Sequence, residues 1–423
     1  MRKPGRPAIV RLLAVAVIFV GIEVSAALLI WVATPLLDEP IWRTPKHFRV
    51  QLEKMRSLIE KDSTSQVMLD SLLGWRYRPG FQTADHLISK QGLRGERLYD
   101  LTPPPGVLRV AAFGDSFVYG NEVKTHQSWP AFLETQAPDI EILNYGVGGY
   151  GVDQALLRFL TEGSDFEPHV VIMGFVTDDL SRLTNVYRPF RSAYEWPLVK
   201  PRYTVAGGEL TFYPPPLTNV TDYEAFLNGT RAITELGTRD EWYEPLVYDN
   251  PAYDLSATVR LVSHLWTRLR GRYLDPDRLF DGSVFNTQSE AFAIQMALFR
   301  EFVDSARYRG YAPLIVLLPD RKSLAQVAQG KSSIQAPLAQ ALDSAGLPYL
   351  DMVTAFGDEF TERELQEWFM PGRHYSEAGN RQIAKALGDF LWLTYAPCRS
   401  MGEDQGSSGG RAPEDQMCRQ SFP

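Results

Sequence analysis

Runs of apolar residues mark the first elements of this chain. Val107–Phe113, Ile140–Leu143, Val170–Phe175 and Leu314–Leu318 are short, rich in β-branched or aliphatic side chains, and separated by polar and glycine-containing text. Leu347–Leu350 is a weaker run of the same kind. Apolar stretches of this length, without polar alternation, predict parallel strands buried on both faces. Between them the period changes. Leu156, Leu157, Phe159 and Leu160 mark one amphipathic helix, and Ala291, Ile294, Leu298 and Phe302 another. Ile383, Leu387, Phe390 and Leu391 mark one more near the end. Strand alternating with helix predicts an α/β domain, a doubly wound parallel sheet of about five strands with helices on both faces.

Two stretches break the alternation. Residues from about 181 to 288 carry Pro214-Pro215-Pro216, many aromatics, and Tyr203–Phe212 around Gly207-Gly208, which predicts a β-hairpin. This is an α+β insertion large enough to cap one end of the sheet. Residues 38–106 read as a stalk and lead-in, with a charged helical pattern over His47–Lys61. Glycine- and aromatic-rich text such as Leu73-Gly74-Trp75-Arg76-Tyr77 follows, and Pro103-Pro104-Pro105-Gly106 ends it. After Pro397 the chain turns to Gly, Ser, Gln and charge, the composition of a disordered tail.

Leu12–Ala33 is apolar except for Glu23. As a helix it reaches roughly 33 Å, enough for a bilayer core. Arg2, Lys3, Arg6 and Arg11 precede it and Asp38 and Glu39 follow, so the positive-inside rule puts residues 1–37 at the cytoplasmic tip and in the membrane, and the rest outside. Val24-Ser25-Ala26 offers a signal-peptide cleavage site, but the run continues through Leu28, Leu29 and Ile30, longer than a signal core. The expectation is an uncleaved single-pass anchor. Glu23 is either a protonated carboxyl tolerated by an apolar helix or a contact to another membrane helix, from a partner or a second copy.

Composition narrows the chemistry. The 423 residues carry 43 Lys+Arg against 51 Asp+Glu, a net charge of −8, which argues against a nucleic-acid partner. Cys398 and Cys418, both in the tail, cannot build a disulfide scaffold; they pair in an oxidising compartment or stay free. Six histidines and no Walker, CxxC or HExxH pattern call for neither cofactor nor metal.

Phe113-Gly114-Asp115-Ser116-Phe117 ends the first strand. A serine there projects from the carboxyl edge of a parallel sheet, where open α/β folds bind ligands. A free hydroxyl is a poor nucleophile and needs a base. Arg373-His374-Tyr375-Ser376 supplies a candidate: Ser376 can N-cap the last helix, leaving His374 in the loop before it. Asp115 reads as a turn residue.

Gly114-Asp115-Ser116-Phe117 with the distant His374 resembles the SGNH/GDSL hydrolase superfamily. Asn144-Tyr145-Gly146-Val147-Gly148-Gly149 is similar to its second block, and Val171–Asp179 to its third. The resemblance, closest to bacterial envelope members with a membrane helix, implies a flavodoxin-like α/β domain over 107–397. It also implies Ser116 as nucleophile, His374 as base and the Gly149 N–H as oxyanion donor. Two positions depart from the pattern. Asp178 stands where the family has an oxyanion-donating Asn, and Pro371 stands where it has the Asp that orients the histidine. Four readings are open: a Ser116–His374 dyad held by a backbone carbonyl, Asp178 as relocated acid, Asp320 or Asp351 in that role, or a site without catalysis. The resemblance implies a membrane-anchored serine esterase of the cell inner membrane, its domain periplasmic, acting on O-acyl esters of a cell-envelope glycan or lipid. The alternative is a non-catalytic accessory that binds a glycan or a membrane partner.

Overall fold

A computed structural model of the chain describes residues 6–33, 45–61, 64–192, 195–229, 233–356 and 360–395. The tail with Cys398 and Cys418 lies outside the described residues. Strands β1 (Leu108–Phe113), β2 (Ile140–Asn144), β3 (Val170–Val176), β4 (Ala312–Leu318) and β5 (Tyr349–Asp351) form one parallel sheet in the order β2-β1-β3-β4-β5. This is the doubly wound α/β architecture expected from the apolar runs, with its topological switch between β1 and β3.

Strand alternation sends side chains to two separate cores. Ala111, Phe113, Val171, Met173, Ile315 and Leu317 face one side, where the helices Val152–Glu162 and Glu290–Tyr308 cover them. Val110, Ala112, Ile172, Leu314 and Val316 face the other, under Trp129–Gln136 and Glu377–Tyr395. Each fully buried aliphatic side chain contributes on the order of 2 kcal/mol. Burial on both faces explains why these strands carry no polar alternation.

The stretch expected to be a stalk is instead partly domain. Val67–Asp70 pairs antiparallel with Gly74–Tyr77, and Val67, Leu73, Trp75, Tyr77, Ile88, Leu93 and Tyr99 are buried in the first core. The Trp75 indole Nε1 donates to the Gly148 carbonyl at 3.2 Å, and the Gly148 N–H donates to the Tyr77 hydroxyl at 3.0 Å. Aromatic anchors, not a linker, join this segment to the second block. The insertion does contain the expected hairpin, Arg202–Ala206 with Glu209–Tyr213. The described stretch Ile9–Ala33 of helix α1 (Arg6–Ala33) is long and apolar enough to cross a membrane, with mean hydropathy 2.6. Its Glu23 meets the helix α2 (Ala257–Leu269) of the same chain.

Candidate active site

Ser116 opens a four-residue helix, Ser116–Tyr119, directly after β1. Asp115 caps that helix, its Oδ1 accepting from the Phe117 N–H at 2.8 Å, and Gly120 closes it in the left-handed region. Asn144 ties the second block to it: Nδ2 donates to the Val118 carbonyl at 3.1 Å while Oδ1 accepts from the Gly146 N–H at 2.9 Å. At the other end of the domain Ser376 caps the last helix, accepting from the Gly379 N–H at 3.2 Å. Tyr375 fixes the loop to the end of β4 by donating to the Pro319 carbonyl at 2.6 Å. These ties bring His374 to the serine: Nε2 lies 2.9 Å from Ser116 Oγ.

The other ring nitrogen meets a residue that the sequence reading missed. His374 Nδ1 is 2.6 Å from Glu122 Oε2, and the same carboxylate accepts from the His374 N–H at 3.2 Å and the Gly372 N–H at 3.0 Å. Three donors from one loop fix the acid, and the acid fixes the ring. Glu122 has φ of +65°, which turns its side chain back over the site after the short helix ends. Gly372 makes room for it, since a Cβ there would stand 2.2 Å from Glu122 Oε1. The carboxylate that meets the imidazole thus comes from six positions after the serine, not from three before the histidine, where Pro371 stands. Its only signal in the sequence is an acidic residue just beyond a glycine near the nucleophile.

The other candidate acids are engaged elsewhere. Asp178 is gripped by Arg191 Nη1 at 2.6 Å and Arg182 Nη2 at 2.8 Å. Burial opposes its ionisation, but those guanidinium groups outweigh it and hold its pKa well below the ordinary carboxylate range. Asp320 caps the helix Arg321–Ala328 and accepts from the Thr177 hydroxyl; Asp351 accepts from Gln335 Nε2 at 2.7 Å and the Val353 N–H at 3.0 Å. Arg182 also bridges Asp115 and Asp179 at 3.0 and 2.6 Å. Burial and the charge of Asp115 push the Asp179 pKa up.

Gly149 lies at φ of +80°, in the left-handed region that favours glycine. Together with Ser116, His374, Trp75, Arg188 and Trp196 it lines a cleft of about 250 Å³. The Arg188 Nη2 stands 3.7 Å from where a Cβ on Gly149 would be and 2.8 Å from Glu195 Oε2. Its Nη1 is buried with no hydrogen-bond partner among the described residues. Burial lowers the Arg188 pKa to about 10, so the group stays cationic at neutral pH.

A family model described as the GDSL-like lipase/acylhydrolase family matches residues 112–382, from the end of β1 into the last helix. The chain belongs to that family. The GDSL match takes in Ser116, Glu122, Gly149, Asp178 and His374 alike. Among curated proteins the chain is 36% identical over 81 residues to the uncharacterized lipoprotein YqeF of Bacillus subtilis, a match covering 18% of this chain and 33% of that one. The chain thus spans about a third of that relative's length. Among solved structures it is similar to a member of the lipolytic protein G-D-S-L family from Veillonella parvula, at 11% identity and TM-score 0.30, covering 67% of this chain and 97% of the other. A GDSL-like lipase from Bacteroides thetaiotaomicron is also similar, at 11% identity and TM-score 0.31, covering 67% and 88%.

Proposed function

We propose that this GDSL-family protein is a membrane-anchored serine esterase whose catalytic groups are Ser116, His374 and Glu122. The observation that carries this reading is the continuous chain of contacts, Ser116 Oγ to His374 Nε2 at 2.9 Å and His374 Nδ1 to Glu122 at 2.6 Å. Ser116 Oγ attacks the ester carbonyl carbon and passes its proton to Nε2. Glu122, accepting from Nδ1–H, stabilises the imidazolium as it forms. The N–H groups of Ser116 and Gly149 hold the oxyanion. On collapse the C–O bond to the alcohol breaks and His374 returns the proton to the leaving oxygen. Water, or an acceptor hydroxyl, then releases the acyl group from Ser116 by the same steps in reverse.

Arg188 supplies what Asp178 cannot. The family's third oxyanion donor is an Asn amide, and a carboxylate engaged with two arginines has no proton to give. The buried Arg188 guanidinium lines the same cleft as Gly149, its Nη2 shared with Glu195 and its Nη1 without a partner among the described residues, so it brings N–H donors to the side of the site where negative charge develops. The intact arrangement of nucleophile, base, acid and cation favours the enzyme over a non-catalytic accessory.

The substrate is an O-acyl ester presented outside the cytoplasm. What supports this is the basic cluster before Ile9–Ala33, which orients the helix with the domain beyond the membrane. A periplasmic glycan or lipid ester fits that location. The test is labelling of the full chain with a fluorophosphonate probe: adduct on wild type, absent in Ser116→Ala, supports the esterase, and no adduct on folded wild type contradicts it. A reporter fused after residue 395 and active only on translocation tests the topology.

A further inference from the structure

A carboxylate inside an apolar membrane helix costs on the order of 3 kcal/mol, so its surroundings matter. The Glu23 carboxylate accepts from the Ser256 hydroxyl at 2.5 Å, the Ala257 N–H at 2.7 Å and the Thr258 N–H at 3.4 Å. These are the first donors of α2, which otherwise lack partners at a helix start. Glu23 therefore caps α2 from a position far away in sequence. Below it Ile30 and Ala33 of α1 pack with Val247, Tyr253 and Val259 in a small apolar cluster. The two helices are joined by both polar and apolar contacts.

Helix α2 carries more apolar surface than α1 covers. Val262, Leu265, Trp266 and Leu269 are each about half exposed, at 58, 50, 48 and 52%. Their spacing puts them on one helix face, and Tyr273, exposed at 66%, continues it past the helix end. Arg260, His264 and Arg268 lie four apart on the opposite side. Arg260 is tied to the Tyr253 carbonyl at 3.0 Å, and Arg270 to Glu244 at 2.8 Å. Apolar and aromatic groups on one face, with arginines on the other, are the pattern of a helix lying in a membrane interface.

The contact with α1 says what covers that face. Glu23 precedes Ala33 by about three helical turns, roughly 15 Å at 1.5 Å per residue. A span of 25 residues exceeds a 30 Å hydrocarbon core by several Å. Its outer end therefore emerges, and the start of α2 falls level with the outer half of the bilayer. We infer that α2 is a second membrane contact, lying in the outer leaflet against α1, with Val262, Leu265, Trp266 and Leu269 facing lipid acyl chains and Glu23 locking the two helices together. The insertion is thereby held on the membrane, and the catalytic domain does not swing on a free tether. This inference rests on the reading of α1 as a membrane span.

The test uses the full chain, with Cys398→Ser and Cys418→Ser, in phosphatidylcholine–phosphatidylglycerol nanodiscs whose acyl chains are brominated. A fluorophore is attached in turn through Leu265→Cys, through Val20→Cys in α1, and through Tyr308→Cys, an exposed site on the catalytic domain. The expected result is loss of emission at 265 comparable to that at 20, with none at 308. In a Glu23→Ala background the loss at 265 falls while that at 20 persists. Quenching at 20 without quenching at 265 overturns the inference and leaves the membrane span standing. Quenching at neither overturns both. Disulfide-linked dimers through Leu265→Cys, formed in unbrominated discs in place of lipid contact, would show that a second copy covers the face and also overturn it.

Discussion

Glu122 and Asp178 both stand near the carboxyl edge of the sheet, close to Ser116 in sequence or in family pattern, and their surroundings set them apart. Among the described residues, the hydrogen-bond partners of Glu122 are the N–H donors of the loop 372–374 and the imidazole, so its charge is available to the ring. Asp178 faces Arg182 and Arg191, and its charge is consumed there. Whether an acid belongs to the catalytic machinery is decided by which cations and donors surround it, and a family position does not fix that.

The sharpest way to break the comparison is to remove each charge in turn. Glu122→Gln keeps the shape but loses the anion and the tautomer it selects; kcat for ester hydrolysis should fall by about 10³-fold with KM nearly unchanged. Arg188→Met removes the cation beside Gly149 and should lower kcat by about 10²-fold, with Arg188→Lys recovering part of the loss. An unchanged kcat in Arg188→Met would exclude it from the oxyanion site. Gly372→Ala should lower kcat by about tenfold by pushing the Glu122 carboxylate aside. Combined with Glu122→Gln it should add little, because both act through one contact; additive losses would place Gly372 on a separate route.

Asp178→Asn should have the smallest kinetic effect, within about threefold in kcat. Its consequence lies in stability. Because the folded pKa of Asp178 is depressed below 3.8, its ion pairs stabilise the fold above that pH, and the contribution is lost as pH falls through the folded value. Thermal melting of wild type should therefore drop on acidification below about pH 4, and Asp178→Asn should drop less. A steeper acid loss in the variant would contradict the pairing.

Much of this was legible in the chain. Four of the strands and three of the covering helices follow from apolar period, because burial on both faces leaves no polar residue in β1, β3 or β4 except Arg109. The weak run Leu347–Leu350 became β5 at Tyr349–Asp351, shifted because strand pairing begins only after Pro348. Ser116 and His374 stood out through local motifs. Trp75 and Tyr77 did not, since their partner is the Gly148 backbone and an antiparallel hairpin beside an α/β core has no period of its own. Glu122 was hidden for a geometric reason: its place depends on a helix of four residues, a left-handed turn, and a glycine 250 positions away. The partner of Glu23 was hidden by sequence separation alone.

The most direct measurement compares initial rates of fluorophosphonate labelling for wild type, Glu122→Gln and Asp178→Asn, side by side in detergent. Labelling reports the nucleophilicity of Ser116 without requiring the natural substrate. With Glu122 as the acid that orients His374, the Glu122→Gln rate falls by about 10³-fold and the Asp178→Asn rate stays within about threefold of wild type. A slow Asp178→Asn beside a wild-type-like Glu122→Gln would contradict the Ser116–His374–Glu122 assignment.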